Sequence, residues 1–335
     1  MTLVRLLLSC TQIAVAVSLI FAGCAEGHAQ AGVNSTGDLH WMDGAKDCKA
    51  NPQPPLEQHA LNPETVVLRE GLCSTFEAPF LYLLMGSKKA LLIDTGDVAD
   101  RARMPLAKTV LGLLPATGPD RLPLLVVHTH RHLDHRAGDA QFANLPNVRV
   151  IGYDLESVRR FYNFSDWPDG VAAIDLGDRI VDVLPTPGHN ATEVSFYDRK
   201  YNLFFSGDFL MPGRLLIDDT AADLASARRV AAFVKDRPVQ YVLAGHIEFD
   251  EKGEAFPWQS QYHPHEHALA MSKDDLLALP AAIESFNGIY SRSGQFVVIN
   301  PMRLLILFCA MALSLLAALV AVVVKLVRAR RRRSS

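Results

Sequence analysis

Basic charge is scarce in most of this chain. Its 335 residues hold 33 Lys and Arg against 36 Asp and Glu, a formal charge of −3. Seven of those basic residues, and no acid, lie after Met302, which leaves residues 32–302 at about −10. Nucleic-acid binding needs basic patches to neutralise phosphates, so that class is excluded for the folded part. Cysteine is scarce too. Of five, Cys10, Cys24 and Cys309 fall in apolar terminal segments, and only Cys48 and Cys73 belong to the folded part. These two either pair as a disulfide or pack as small apolar side chains. Charge is absent altogether from Leu304 to Val324, a run of 21 residues. At about 1.5 Å per helical residue such a run spans a hydrocarbon core of about 30 Å, and a buried core helix would not be followed by an arginine cluster.

The organisation follows from these contrasts. Residues 1–31 begin with Arg5, pass through the apolar Leu6 to Ala22 and end in small residues around Ala29, the pattern of a secretory signal or an N-terminal anchor. Ala22-Gly23-Cys24 also resembles a lipoprotein cleavage site. Residues 32–61 are rich in Pro, Asn and Gln and read as an irregular arm. Residues 62–250 carry the strand and helix signals of a catalytic domain, 251–302 form a C-terminal extension, 303–327 a transmembrane helix, and 328–335 a basic tail. Because positive flanks stay in the cytoplasm, the tail is expected there and the domain on the periplasmic or extracellular side.

Within the domain, Thr65 to Leu68, Phe80 to Met85 and Ala90 to Ile93 read as strands, and the spacing of Met104, Ala107, Val110, Leu111 and Leu114 gives a helix over 101–114. Strands are expected at Leu124 to Val127 and Val148 to Ile151, with helices from Arg136 and over 154–162. The second half repeats the mixture: strands at Arg179 to Leu184, Glu193 to Tyr197, Asn202 to Phe205 and Val239 to Leu243, and helices at Leu224 to Lys235 and Lys273 to Ser285. Strands first, then strand and helix in alternation, twice over, fit an α/β fold of two packed sheets with helices outside.

The chemistry concentrates at His130-Arg131-His132-Leu133-Asp134-His135, directly after the apolar Leu124 to Val127. Four potential ligands within six residues at a strand tip suit a borderline cation such as zinc, which takes neutral imidazole and carboxylate. A lone histidine there would be a packed residue; crowded imidazoles need a use. His128, one position before Thr129, reads as packed or as supporting a ligand. Glycines precede three further candidates, His189, Asp208 and His246, each at a sharp turn off a strand.

The run His130-x-His132-x-Asp134-His135 resembles the signature of the metallo-β-lactamase superfamily. Leu92-Ile93-Asp94-Thr95-Gly96, Thr186-Pro187-Gly188-His189, Phe205-Ser206-Gly207-Asp208 and Ala244-Gly245-His246 resemble its other motifs, in the family's order. The resemblance covers about residues 62–250. It implies an αββα sandwich of two mixed sheets with outer helices and two zinc ions per chain. One would be held by His130, His132 and His189, the other by Asp134, His135 and His246, with Asp208 shared. It further implies a hydroxide between the metals as nucleophile, with Asp134 and Asp94 in catalytic roles, Asp94 by orienting a ligand histidine. Cys48 and Cys73 fall at no ligand position of the family.

Asp208 points toward a branch. β-Lactamases of the superfamily generally lack a carboxylate there, whereas thioesterases of the glyoxalase II type and lactonases have one, so the expected reaction is hydrolysis of a small ester, thioester or lactone. The glutathione-binding residues of glyoxalase II do not map onto Lys252, Lys273 or Arg292. The alternatives are a β-lactam hydrolase, a non-catalytic metal-binding domain, or a di-iron redox member, although no flavin-binding partner domain is visible. Trp258 to His267 gathers aromatic and imidazole groups. Tyr262 and His263 are the expected substrate contacts, against the plainer reading of a surface loop; a third metal on His263, His265 and His267 is a weaker alternative. Tyr162, Phe164 and Trp167 are expected near the mouth. The partners implied are a small-molecule substrate and, through the C-terminal helix, a membrane.

Overall fold

The computed structural model describes residues 39–118 and 120–333; the expected signal segment lies outside them. The first sheet begins with β1 (Leu56–Asn62), β2 (Thr65–Glu70), β3 (Phe80–Met85) and β4 (Ala90–Ile93), an antiparallel meander. Helix α1 (Leu106–Leu113) and a two-residue hairpin of β5 (Ala116–Thr117) and β6 (Asp120–Arg121) lead into β7 (Leu124–Val127), which joins β4 in parallel. After the short α2 (Asp139–Phe142), β8 (Val148–Val150) completes the sheet in the order β1-β2-β3-β4-β7-β8.

Helix α3 (Leu155–Tyr162) crosses to the second sheet, of β9 (Ala172–Asp175), β10 (Ile180–Pro185), β11 (Val194–Asp198), β12 (Leu203–Gly207), β14 (Tyr241–Ala244) and β15 (Ala270–Met271). Only β12 and β14 in it are parallel. Between those two lie β13 (Arg214–Leu216) and α4 (Thr220–Val234). Helix α5 (Lys273–Glu284), β16 (Tyr290–Ser293), β17 (Phe296–Ile299) and α6 (Pro301–Arg333) end the described chain, with β13, β17 and β16 forming a third small sheet.

Each large sheet carries helices on one face. Leu106, Ala107 and Val110 of α1 pack with Leu81, Leu83, Leu92 and Val126 of the first sheet. Ala227, Val230 and Val234 of α4 and Leu276, Leu279 and Ile283 of α5 pack with Phe204 and Val242 of the second. At roughly 1.5–3 kcal/mol per fully buried large apolar side chain, these clusters supply much of the driving force. The sheets meet through the opposite faces. The Tyr82 and Phe205 rings lie 4.8 Å apart, and the phenol of Tyr82 donates to the Ala244 carbonyl. Arg179, buried, pairs with Asp198 at 2.6 Å and donates to the Glu64 carbonyl and to Thr65 Oγ1.

Helix ends follow their caps. α1 starts at Leu106, five residues later than expected, because Pro105 occupies its N-cap position and disfavours helical backbone before it. α4 starts four residues earlier than expected because the Asp219 carboxylate accepts from the Ala221 and Ala222 N–H groups. Two expected boundaries are corrected. The supposedly irregular arm 32–61 contains most of β1, an edge strand whose half-exposed Glu57 and His59 mask its alternation. The segment 251–302 does more than border a cleft: Phe296 and Val298 of β17 enter the core beside α4 and α5. Cys48 and Cys73 form a disulfide that fastens the arm to the loop after β2. α6 is one helix long and apolar enough to cross a membrane, with its apolar window fully exposed, and the basic residues through Arg333 continue it rather than forming a separate tail.

Candidate metal centre

Two pairs of parallel strands bring the motifs to one edge. β4 and β7 end in register at Ile93 and Val127, so Asp94 and Thr129 emerge side by side, and Thr129 N–H donates to Asp94 Oδ1 at 2.7 Å. β12 and β14 end together at Gly207 and Ala244, which sets Asp208 beside His246. His189 comes from the loop between β10 and β11. Two glycines are required by space. A Cβ on Gly245 would lie 2.4 Å from Asp208 Oδ1, and one on Gly207, at φ +56°, would lie 2.8 Å from Thr129 Cβ. The ligand loops could not close on each other with side chains there.

Two clusters result, one of His130, His132 and His189, the other of Asp134, His135, Asp208 and His246. In the first, His130 Nε2 and His189 Nε2 each lie 2.9 Å from His132 Nδ1. In the second, His135 Nε2 and His246 Nε2 are 3.2 Å apart, with Asp134 Oδ2 at 3.5 and 3.4 Å from them. Asp208 faces both: Oδ1 lies 3.5 Å from His135 Nε2 and 3.6 Å from His246 Nε2, while Oδ2 lies 3.6 Å from His189 Nε2.

The outer nitrogens fix the tautomers. His189 Nδ1–H donates to the Leu216 carbonyl and His246 Nδ1–H to the Glu77 carbonyl, both at 2.7 Å. His135 Nδ1–H donates to Asp94 Oδ2 at 2.9 Å. Thr129 spends its single proton on Asp94 Oδ2, so the 3.1 Å contact to His130 runs from Nδ1–H to the hydroxyl oxygen. Four imidazoles thus turn Nε2 inward, where each offers a lone pair once it carries no second proton. His132 Nδ1 can supply at most one proton to its two contacts, and buried Asp208 Oδ1 accepts no hydrogen bond. Converging lone pairs and an orphaned carboxylate oxygen are what a borderline dication relieves, so the donor set fits the zinc that the resemblance implies.

Electrostatics separate the clusters. Burial and the neighbouring His135 hold His130 well below the usual imidazole range, and burial with His189 lowers His132. In the second cluster burial pushes the other way from the acids, and the acids win. Asp208, Asp134 and Asp94 raise His135 well above its ordinary value, and Asp208 and Asp134 lift His246 to about 9. Burial pushes Asp134 up, but His135 and His246 outweigh it and hold the carboxyl at about 2.

Beside His246 lies a narrow pocket of about 30 Å³, walled by Glu77, Arg214, Phe256, Trp258 and His263. His263 stacks on Phe256, ring centroids 4.1 Å apart, and pairs with Glu266 at 2.9 Å. Glu266 in turn makes a two-pronged ion pair with buried Arg69. Tyr262 pairs with Gly44 and lies under Lys46, away from the pocket lining. His265 and His267 join neither cluster. His128 turns from the metal site to Asp139 Oδ1 at 2.8 Å. Tyr162, Phe164 and Trp167 pack on one another rather than on this pocket.

Sequence reasoning missed Thr129, although it immediately precedes the motif run, and Asn190, whose amide lies 3.0 Å from the outer nitrogen of His132. The carbonyls of Glu77 and Leu216 left no side-chain signal at all.

A β-strand scaffold presenting paired His/Asp clusters at one edge defines a metallo-hydrolase. Residues 75–246 match the family model for the Metallo-beta-lactamase superfamily, and the chain belongs to that superfamily. It is 28% identical over 200 residues to an acyl-coenzyme A thioesterase, MBLAC2, of Gallus gallus, covering 50% of this chain and 72% of that one. A hydroxyacylglutathione hydrolase of Mesorhizobium japonicum is 26% identical over 131 residues, 38% of this chain and 50% of that one. A solved metallo-beta-lactamase from Pontibacter korlensis aligns at 17% identity and a TM-score of 0.48 over 69% of this chain and all of that one; a likeness at that level bears on no substrate.

Proposed function

We propose that this chain is a membrane-tethered dinuclear zinc hydrolase that cleaves a small ester, thioester or lactone outside the cytoplasm. The observation that carries the reading is the placement of Asp208, one oxygen toward each cluster. His130, His132 and His189 would hold one ion, Asp134, His135 and His246 the other, and Asp208 both. A bound pair of dications lowers the pKa of water and polarises a carbonyl.

The protein's own groups do the positioning. Asp94 orients His135 and, through Thr129, His130; it stands one step behind the ligands. Asp134 is the more exposed of the two acidic residues in the clusters. The thioester chemistry named for the MBLAC2 and hydroxyacylglutathione relatives supports a thioester among the candidate substrates. The αββα arrangement of residues 62–250 is supported by the two mixed sheets with helices on one face of each. Tethering by residues 303–327, with the basic end cytoplasmic, is supported by the apolar helix and its arginines, and export by the Cys48–Cys73 disulfide.

A panel of thioesters, lactones and β-lactams offered to the purified full-length chain in detergent tests the reading. Chelator-sensitive turnover of a thioester, ester or lactone is expected. Fastest turnover of a β-lactam would replace the substrate class, and two bound irons with visible colour would replace the hydrolase.

A further inference from the structure

The apolar helix is joined to the metal centre with almost no slack. His189 donates to the carbonyl of Leu216, and Leu216 pairs in parallel register with Ile299 of β17. Ile217 N–H donates back to the Ile299 carbonyl at 2.8 Å. One residue, Asn300, separates β17 from α6, and it is itself pinned: its N–H donates to the Ile289 carbonyl at 3.2 Å and its side chain accepts from Arg303 N–H at 2.9 Å. Neighbouring strands lie about 4.8 Å apart, which puts the His189 ring roughly 10 Å from Ile299. Helix rise then brings the first residue of the uncharged run, Leu304, within roughly 20 Å of a metal ligand.

Exposed apolar groups stand at the helix junction and beside the site. Tyr290 stands opposite Ile299 in register and is 47% exposed, an aromatic beside the point where the helix leaves the domain. Trp258, 62% exposed, forms the outer wall of the pocket at His246, and Leu133, 59% exposed, sits within the ligand run itself. Aromatic side chains of this kind favour the boundary between water and lipid. The pocket is lined on its apolar side by Phe256, Pro257 and Trp258.

We infer that the metal centre works at the lipid surface, on an acyl ester or thioester whose hydrocarbon chain stays in the bilayer that holds α6. This rests on the hydrolase reading above and adds where the substrate is found. In the reaction, water adds its oxygen to the acyl carbon as a hydroxyl, forming a carbon–oxygen bond, the carbon–sulfur or carbon–oxygen bond to the leaving group breaks, and the water's other proton goes to the thiol or alcohol. No further reactant is needed. The Asn300 to Pro301 junction acts as a spacer that holds the centre at a fixed height.

Zinc-loaded full-length chain in phosphatidylcholine vesicles provides the test, with two substrates: a hexadecanoyl thioester embedded in the vesicles and a water-soluble acetyl thioester. A flexible Gly/Ser insert of about 20 residues between Asn300 and Pro301 would add a reach of about 25 Å. The insert should cut hydrolysis of the embedded thioester about tenfold through lowered effective concentration, while the soluble one stays within about twofold. Leu133→Glu combined with Trp258→Glu should lower the ratio of embedded to soluble turnover without the insert. Equal rates on both substrates in the parent chain, or an insert that leaves the embedded rate unchanged, would overturn the inference. Turnover of neither substrate, ester analogues included, would overturn the hydrolase reading and this inference with it.

Discussion

The two ligand clusters share Asp208 and an edge of the fold, yet they are opposite electrostatic objects. In the cluster of His130, His132 and His189, burial lowers the proton affinity of His130 and His132 and leaves their lone pairs available. His135 and His246 stand among Asp94, Asp134 and Asp208, which keep positive charge on them by raising their affinity for protons. The comparison teaches that a buried site can be prepared for a cation in two ways: by removing protons in advance, or by building an acidic cage that a metal and protons compete to fill.

Loss of the shared ligand should have the largest effect. Removing an outer partner of a ligand costs about 10–100-fold in metal affinity or activity, so Asp208→Asn, which weakens both clusters, should cost more than about 100-fold in turnover. Steady-state rates with zinc in excess would check this, and a loss below tenfold would separate Asp208 from the chemistry.

Thr129→Val comes next. It removes the hydroxyl that receives His130 Nδ1–H and braces Asp94, and metal affinity should fall by about 10–100-fold. Competition with a chromophoric chelator reads it, and an unchanged affinity would mean that packing alone sets the His130 ring.

Proton release sharpens the electrostatic difference. In the metal-free second cluster His246 keeps its second ring proton up to about pH 9, so zinc entry there must expel it below that pH, whereas His130 and His132 have their proton affinity lowered. Calorimetry in buffers of different ionisation enthalpy at pH 7.5 should resolve two binding steps, one releasing more protons than the other. Two identical steps would erase the distinction.

The smallest effect concerns Glu70, which accepts from Asp97 N–H at 2.9 Å behind the site. Burial pushes its pKa up to about 8, with Asp97 and Asp134 adding to the rise. The folded chain therefore keeps a proton that the unfolded chain sheds above its ordinary value. Glu70 favours folding fully below about pH 4.5, and that contribution is lost as pH rises toward 8. Glu70→Gln should flatten stability against pH across that window, as urea titrations at several pH values would show. A slope identical to the parent's would refute the assignment.

Much of the candidate site was legible because its chemistry is written in side chains: the His-x-His-x-Asp-His run and three glycine-preceded candidates announce themselves at strand ends. What escaped has no such signature. β1 hid behind Glu57, Gln58 and His59 because an edge strand needs little apolar alternation. The acceptors for His189 and His246 are backbone carbonyls that any residue could provide. Nothing in the composition around Tyr262 announces its backbone bridge to Gly44. His263 does reach the pocket wall, but through contacts with Phe256 and Glu266 that only tertiary structure brings together.

The central claim is that two separate cations, shared through one carboxylate, make this centre active. Stepwise addition of zinc to the metal-free full-length chain, with turnover of a thioester or lactone followed in parallel, tests it most directly. Binding should saturate at two zinc ions per chain, with activity complete only as the second enters. Saturation at one ion with full activity, or activity in the absence of any metal, would contradict it.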